Sequence, residues 1–329
     1  MWLRKPDGNT SARMTALPAC MAATLVACAL SVFGCSRSEP EQRQTSPKAS
    51  DSVVKRIGVT LLTVQHQFYQ ELRAGLEEEA GKQGYKLLIT TAEFDSARQA
   101  NQIDQFIVQR VDAIVVCPCD SRSVGASIAA ANEANIPVFT ADIANLSPLG
   151  KVVAHIASDN RQGGREAAKL LAKALEGKGR IAILSHPEVA SVMDRVAGFK
   201  EEIAGHPEVQ VAAELSAEGK RDRAVRVMED LMQSYPDLAG VFAINDDSAL
   251  GALAAVEAAG KSERIKIVGY DATPEAREKI KTGAIYGDVI QNPRLIGHLT
   301  VRTIHDALNG QSVPAVIPVE VGTFTRDSG

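Results

Sequence analysis

The chain has 329 residues, enough for two lobes of ordinary domain size, and a formal net charge of −4 that lacks the basic excess nucleic-acid binding needs. Apolar residues make up 45% of it and aromatics only 4%, so the interior must be built from Ala, Val, Ile and Leu, as buried parallel strands usually are. Composition therefore points to an α/β fold and away from a nucleic-acid partner.

Chain order begins with an export signal. Arg4, Lys5 and Arg13 precede an apolar run from Ala16 to Phe33, the layout of a secretory signal. Read as an uncleaved span, the run would sit at the short limit of the ~20 residues needed to cross a bilayer. Its end, Val32-Phe33-Gly34-Cys35, resembles the lipobox of bacterial lipoproteins, which implies lipidation of Cys35 at the close of a signal region 1–35. Residues 36–52, SRSEPEQRQTSPKASDS, hold no apolar residue larger than Ala or Pro and read as a flexible tether. Cys20, Cys28 and Cys35 lie in the signal region, which leaves Cys117 and Cys119 and no disulfide framework.

From Val53 onward, short β-branched runs alternate with helical stretches at a period of roughly 25 to 30 residues, the mark of parallel sheets with crossover helices. RIGVTLL (56–62) reads as a buried strand, and Tyr69 to Lys82 as a helix with Leu72, Leu76 and Ala80 on one face, ended by Gly84. KLLIT (86–90), a helix carrying Ile103, Phe106 and Ile107, DAIVVCP (112–118), a helix from Ser123 to Asn132 and IPVFTAD (136–142) complete a first run. After a loop come VVAHI (152–156), a helix Gly163 to Leu175, RIAILS (180–185), a helix Ala190 to Ala204 and VQVAAEL (209–215). A helix around Val225 to Gln233, AGVFAIN (239–245), a helix Ser248 to Ala259, IKIVGYD (265–271), a helix Pro274 to Lys281 and YGDVIQ (286–291) follow. So many units exceed one sheet, and two doubly wound Rossmann-like lobes explain them better.

Ligands of such sheets sit outside the carboxyl ends of the strands. Polar residues stand there: Asp142, Asn245, Asp246, Asp271 and Gln291. Around them, ANIPVFTAD (134–142), HIASDN (155–160), VFAINDDSALGAL (241–253) and IVGYDATPE (267–275) resemble the ribose-binding branch of the periplasmic sugar-binding proteins, in family order from about Val54 to about Val321. The resemblance implies two lobes joined by a three-crossing hinge, with residues 53–158 and 292–314 in the first and 159–291 and 315–329 in the second. It places His66, Phe68, Tyr69, Cys117, Asp142, Met193, Asn245, Tyr270, Asp271 and Gln291 at ligand-contact positions. His66 and Gln67 replace the family's Asn and Pro, Cys117 its Asn, Ile143 and Met193 two arginines, and Tyr270 its Phe; Arg195 lies two residues beyond Met193. Two carboxylates with few cations favour a donor-rich neutral sugar or polyol over an anion such as a sugar phosphate. Other implications are an ATP-driven membrane permease as partner, a monomeric state, no cofactor and no bond chemistry.

Plainer roles compete at several positions. Asp246, Asp247, Ser248 and Thr273 could simply be helix caps, and Phe68 and Tyr69 could pack against the first strand. Cys117-Pro118-Cys119 is a weak metal signal without partner His or a second Cys pair. AVEAAGKS (255–262) comes near a phosphate loop, but a helix precedes it and a strand follows, the reverse of what that loop needs. Common catalytic signatures are absent; Asp142 and Asp271 could serve a glycan-processing enzyme only as a carboxylate pair. A sensory protein docking to a chemoreceptor or sensor kinase would share the expected pocket. A repressor of the lactose type would share the fold, but carries a helix-turn-helix where this chain has an export signal.

Overall fold

A computed structural model describes residues 54–328; the signal region 1–35, the lipidation of Cys35 and the tether 36–52 lie outside the described residues. The first lobe alternates β1 (Arg56–Leu61), α1 (Gln67–Gln83), β2 (Lys86–Thr91), α2 (Ser96–Val108), β3 (Ala113–Val116), α3 (Gly125–Glu133), β4 (Val138–Ala141) and β5 (Val152–Ser158). The second holds α4 (Asn160–Ala174), β6 (Gly179–Ser185), α5 (Ala190–Ile203), β7 (Val209–Ser216), α6 (Arg221–Ser234), β8 (Leu238–Ala243), α7 (Asp246–Ala258), β9 (Lys266–Asp271), α8 (Pro274–Lys281) and β10 (Gly287–Ile290). The chain then returns through α9 (Pro293–Leu308) and β11 (Val316–Val319) and ends on β12 (Gly322–Thr325).

These segments form two six-stranded sheets, ordered β2-β1-β3-β4-β5-β11 and β7-β6-β8-β9-β10-β12. Among the described residues only the β10–β12 ladder is antiparallel. Ile57, Val59 and Leu61 of β1 are fully buried, and so are Leu72 and Leu76 of α1, which close one face of the sheet. Each such side chain contributes ~2 kcal/mol on burial. The helix stops where Gly84 takes φ +70°, satisfying the terminal carbonyls of Ala80 and Gly81. Strand order reverses between β1 and β3 and between β6 and β8, and there the crevices open at the strand ends.

Three crossings join the lobes, between Ser158 and Asn160, Ile290 and Pro293, and Val319 and Gly322. The expected boundary at 314/315 is corrected, because β11 pairs with β5 in the first sheet and the last crossing therefore falls at Glu320 and Val321. No helix or strand was expected beyond Gln291, where α9 packs on α1 and two short strands complete the sheet edges. Helix α6 starts four residues before the expected Val225, since its first turn, Arg221-Asp222-Arg223, carries only charge. All described residues belong to one compact unit, and no helix among them is long and apolar enough to cross a membrane.

Candidate functional site

Both lobes turn their strand ends toward a shared cleft, which holds ≈ 410 Å³ of open space, mouth included. From the first lobe, β1 leads into α1, so His66 stands at the helix N-cap and Phe68 and Tyr69 in the first turn. The Phe68 and Tyr69 rings meet edge to face at 5.2 Å, and His66 lies 5.4 Å from Phe94, which follows β2. Asp142, just past β4 with φ +65°, accepts a hydrogen bond from Tyr69 Oη at 2.6 Å. Its other oxygen is buried with no protein partner.

On the second lobe, Arg195 of α5 reaches the same cleft. Its Nε donates to Asn160 Oδ1 at 2.8 Å, its Nη1 donates to the Ile244 carbonyl at 2.7 Å, and the guanidinium lies 3.9 Å over the Tyr270 ring. Asn245 caps α7 by accepting from Ser248 N–H and donates through Nδ2 to the Gly219 carbonyl, both at 3.0 Å. It is therefore a cap and a cleft residue at once. Asp271, the last residue of β9 with φ +116°, accepts from Gln291 Nε2 at 2.6 Å, while Gln291 Oε1 is buried without a partner.

Seven of the ten expected residues line this cleft: His66, Phe68, Tyr69, Asp142, Asn245, Asp271 and Gln291. Three do not. Tyr270 is fully buried behind Arg195, and Gly163 is required beneath it because a Cβ there would collide with its hydroxyl. Cys117 is fully buried at the end of β3, where Gln99 brackets the Cys-Pro-Cys turn by donating to the Cys117 carbonyl and accepting from Cys119 N–H, each at 2.9 Å. Burial pushes its thiol well up and that of Cys119 up to about 12, so both stay protonated, and no metal-ligating cluster exists among the described residues. Met193 is corrected to Arg195: the two sit two positions apart on α5, roughly 200° around the helix, so the one facing the cleft excludes the other. One of the two guanidiniums read as lost is thus present. Phe94, His186 and Ile143 also line the cleft; Phe94 and His186 follow strands β2 and β6, so inspecting every strand end would have found them.

Burial raises the Asp142 carboxyl, against the opposing pull of Arg195 and Tyr69, and raises Asp271 further because Asp246 adds a like charge. Behind Asp271, Asp246 and Asp288 face each other over Gly269, where a Cβ would lie 3.1 and 3.2 Å from their carboxyl oxygens. Asp246 Oδ2 accepts from Thr273 N–H at 2.6 Å and Asp288 Oδ1 from Val289 N–H at 2.9 Å, and burial and the like charge of Asp246 raise the Asp288 carboxyl well above the usual carboxylate range. Across the mouth, His66 Nε2 comes within 3.6 Å of Asp247, Ala190 N–H donates to Ser121 Oγ at 2.9 Å, and Lys220 stands 4.7 Å over the Phe94 ring. These contacts hold the lobes closed. Burial lowers the His66 and His186 imidazoles more than their carboxylate neighbours raise them, so the His66–Asp247 contact is not an ion pair at neutral pH.

The cleft can hold donors on two carboxylates and acceptors on one guanidinium and two amides, between aromatic faces; it has no paired nucleophile and base. Residues 57–312 match the periplasmic binding protein domain family. The ribose import binding protein of Bacillus subtilis is 35% identical over 88% of this chain and 93% of its own length. A xylitol-binding protein of Mycolicibacterium smegmatis is 34% identical over 74% of this chain and 69% of its length. Among solved structures, an ABC transporter solute binding protein from Bacillus halodurans with bound myo-inositol superposes with a TM-score of 0.78 at 30% identity, covering 84% of this chain and 96% of that one.

Proposed function

The chain belongs to the periplasmic binding protein domain family, and on that premise we propose that it is the solute-capturing component of an ABC-type importer, closing on a small neutral sugar or polyol. One observation carries the ligand class: Asp142 from one lobe and Asp271 from the other face a single cleft, the first buried and the second half-buried. Hydroxyls donating to them supply what burial has removed, and Phe68 and Tyr69 offer flat apolar faces to C–H groups. Arg195 supplies donors to ring oxygens and hydroxyls, but two acids to one cation still disfavour an anion. The relatives that bind ribose, xylitol and myo-inositol support the same class.

In this reading the solute joins one lobe of the open form, and contacts from the other stabilise the closed form that the permease receives. Binding and release are the whole of its chemistry. The protein works in the periplasm or cell envelope, as a monomer, held to a membrane by lipid on Cys35; the Val32–Cys35 run after an apolar signal supports that anchor.

Thermal unfolding of the full chain against pentoses, hexoses, polyols, amino acids and sugar phosphates tests the reading. A solute at ~100 times its Kd adds ~2.7 kcal/mol. A shift with a neutral sugar or polyol, lost in Asp142→Ala and Asp271→Ala, is the expected result. A shift confined to a phosphate or amino acid would overturn the ligand class.

A further inference from the structure

A second chamber with ≈ 670 Å³ of open space, mouth included, adjoins the cleft, and the two share Phe68, Asp271 and Gln291 as a partition. Its walls come from both lobes and the second hinge crossing: Gln67 and Glu71 from α1, Ala272 to Pro274 after β9, and Asn292 to Arg294 at the start of α9. Three helix starts meet here, yet they do not make an anion site. Helices α8 and α9 begin with Pro274 and Pro293, which lack an N–H, while Thr273 accepts from Ala276 N–H and Asn292 from Leu295 N–H. Besides Asp271 on the partition, the charged groups are Glu71 and Arg294, which neutralise each other at 2.8 Å.

What remains is apolar surface on Ala272, Pro274, Pro293 and Phe68, with two hydrogen-bonding amides beside it. Gln291 Oε1 is buried with no partner on the partition itself, in a residue only 7% exposed. Gln67 is half-buried at the first position of α1. A buried acceptor without a donor is costly, so its place on the dividing wall points to a ligand group that passes it. Flat apolar faces with sparse neutral hydrogen-bonding groups suit a second sugar ring or an alkyl group.

We propose that this chamber is a second subsite, and that the protein accepts a neutral glycoside or disaccharide whose first ring lies between Asp142 and Asp271 and whose substituent passes Gln291 into the chamber. This rests on the neutral-sugar reading of the cleft. Isothermal titration of the full chain with D-ribose, D-allose and myo-inositol, then with their O-methyl and O-phenyl derivatives and with neutral disaccharides, tests it. For a parent sugar that binds, at least one derivative binds within ten-fold of it. Gln67→Trp, which fills the chamber from a half-exposed position outside the first cleft, weakens that derivative at least ten-fold and the parent less than three-fold. Gln67→Leu keeps the space and weakens it less, which separates filling from misfolding. Parent binding with every derivative more than 100-fold weaker, or equal losses for parent and derivative in Gln67→Trp, overturns the subsite and leaves the sugar reading intact. Binding of neither parents nor derivatives overturns the neutral-sugar reading and the subsite with it.

Discussion

At the cleft, the first lobe presents four rings, His66, Phe68, Tyr69 and Phe94, around a single carboxyl, Asp142. The second lobe presents Arg195, Asn245 and Asp271, each held by a hydrogen bond to protein. Strand order is the same in both, so the difference lies in what each places at the strand ends. Rings fix the plane in which a sugar can lie, whereas pinned polar groups decide which hydroxyls are read and keep that geometry before the ligand arrives.

Arg195 is where this contrast breaks most severely. Arg195→Ala removes a buried cation, strands the Ile244 carbonyl and leaves Asn160 Oδ1 with only the long 3.4 Å bond from Tyr270 Oη, which costs about 3 kcal/mol of stability and abolishes sugar binding. Arg195→Lys keeps the charge but not the fork and falls between. Denaturant unfolding with calorimetric titration reads both quantities; unchanged stability in Arg195→Ala would show that the second lobe is not organised by this residue.

The two acids, one per lobe, sharpen the comparison next. Asp142→Asn and Asp271→Asn each weaken sugar binding by about 100-fold, the loss of one or two charged hydrogen bonds. Both carboxyls are raised by burial, so each substitution also stabilises the ligand-free protein near neutral pH, Asp271→Asn more because Asp246 burdens Asp271 as well. A fall in Tm in both variants would refute that account.

Further back, the second lobe carries the Asp246–Asp288 pair, for which the first shows no counterpart among the described residues. A carboxyl whose folded pKa is raised binds its proton more tightly folded than unfolded. Its stabilising contribution is full below the unfolded value of ~4 and is lost as pH rises through the folded one. Stability of the native chain should therefore decline as pH rises above the unfolded value of ~4 and through the raised folded one, and more steeply than in Asp288→Asn, whose amide does not titrate. Parallel pH profiles for the two proteins would show that Asp288 does not carry a raised pKa.

Much of this was legible in the sequence, and the reasons are physical. Buried parallel strands announce themselves as β-branched runs, and polar residues at their ends, such as Asp142, Asn245 and Asp271, stand out against them. Met193 and Arg195 could not be told apart, because their difference is an angle around α5 set by tertiary packing. Cys117 and Tyr270 kept strand-end positions yet point behind the wall, and only the Gln99 clamp and the Arg195 stack reveal that. Beyond Gln291, α9 was legible, since Ile296, Thr300 and Ile304 recur at helical spacing on its buried face, but it was not read, whereas β11 and β12 are four-residue edge strands with little alternation to read.

His66 tests the mouth, where the lobes meet instead of differing. Its imidazole is lowered chiefly by burial in the closed form, so closure favours the neutral ring. A depressed pKa contributes stability that is complete above the unfolded value of ~6.5 and lost as pH falls through the folded one. Closure, and with it sugar affinity, should therefore weaken modestly, by about two- to five-fold, between about pH 7 and about pH 5. His66→Gln keeps a polar side chain facing Asp247 but has nothing to titrate, so its affinity should vary less over that range. Burial likewise lowers His186 on the opposite side, so some slope persists in the variant. If the slope is wholly unchanged, protons act at His186 alone, and the contact between His66 and Asp247 is a spectator of closure.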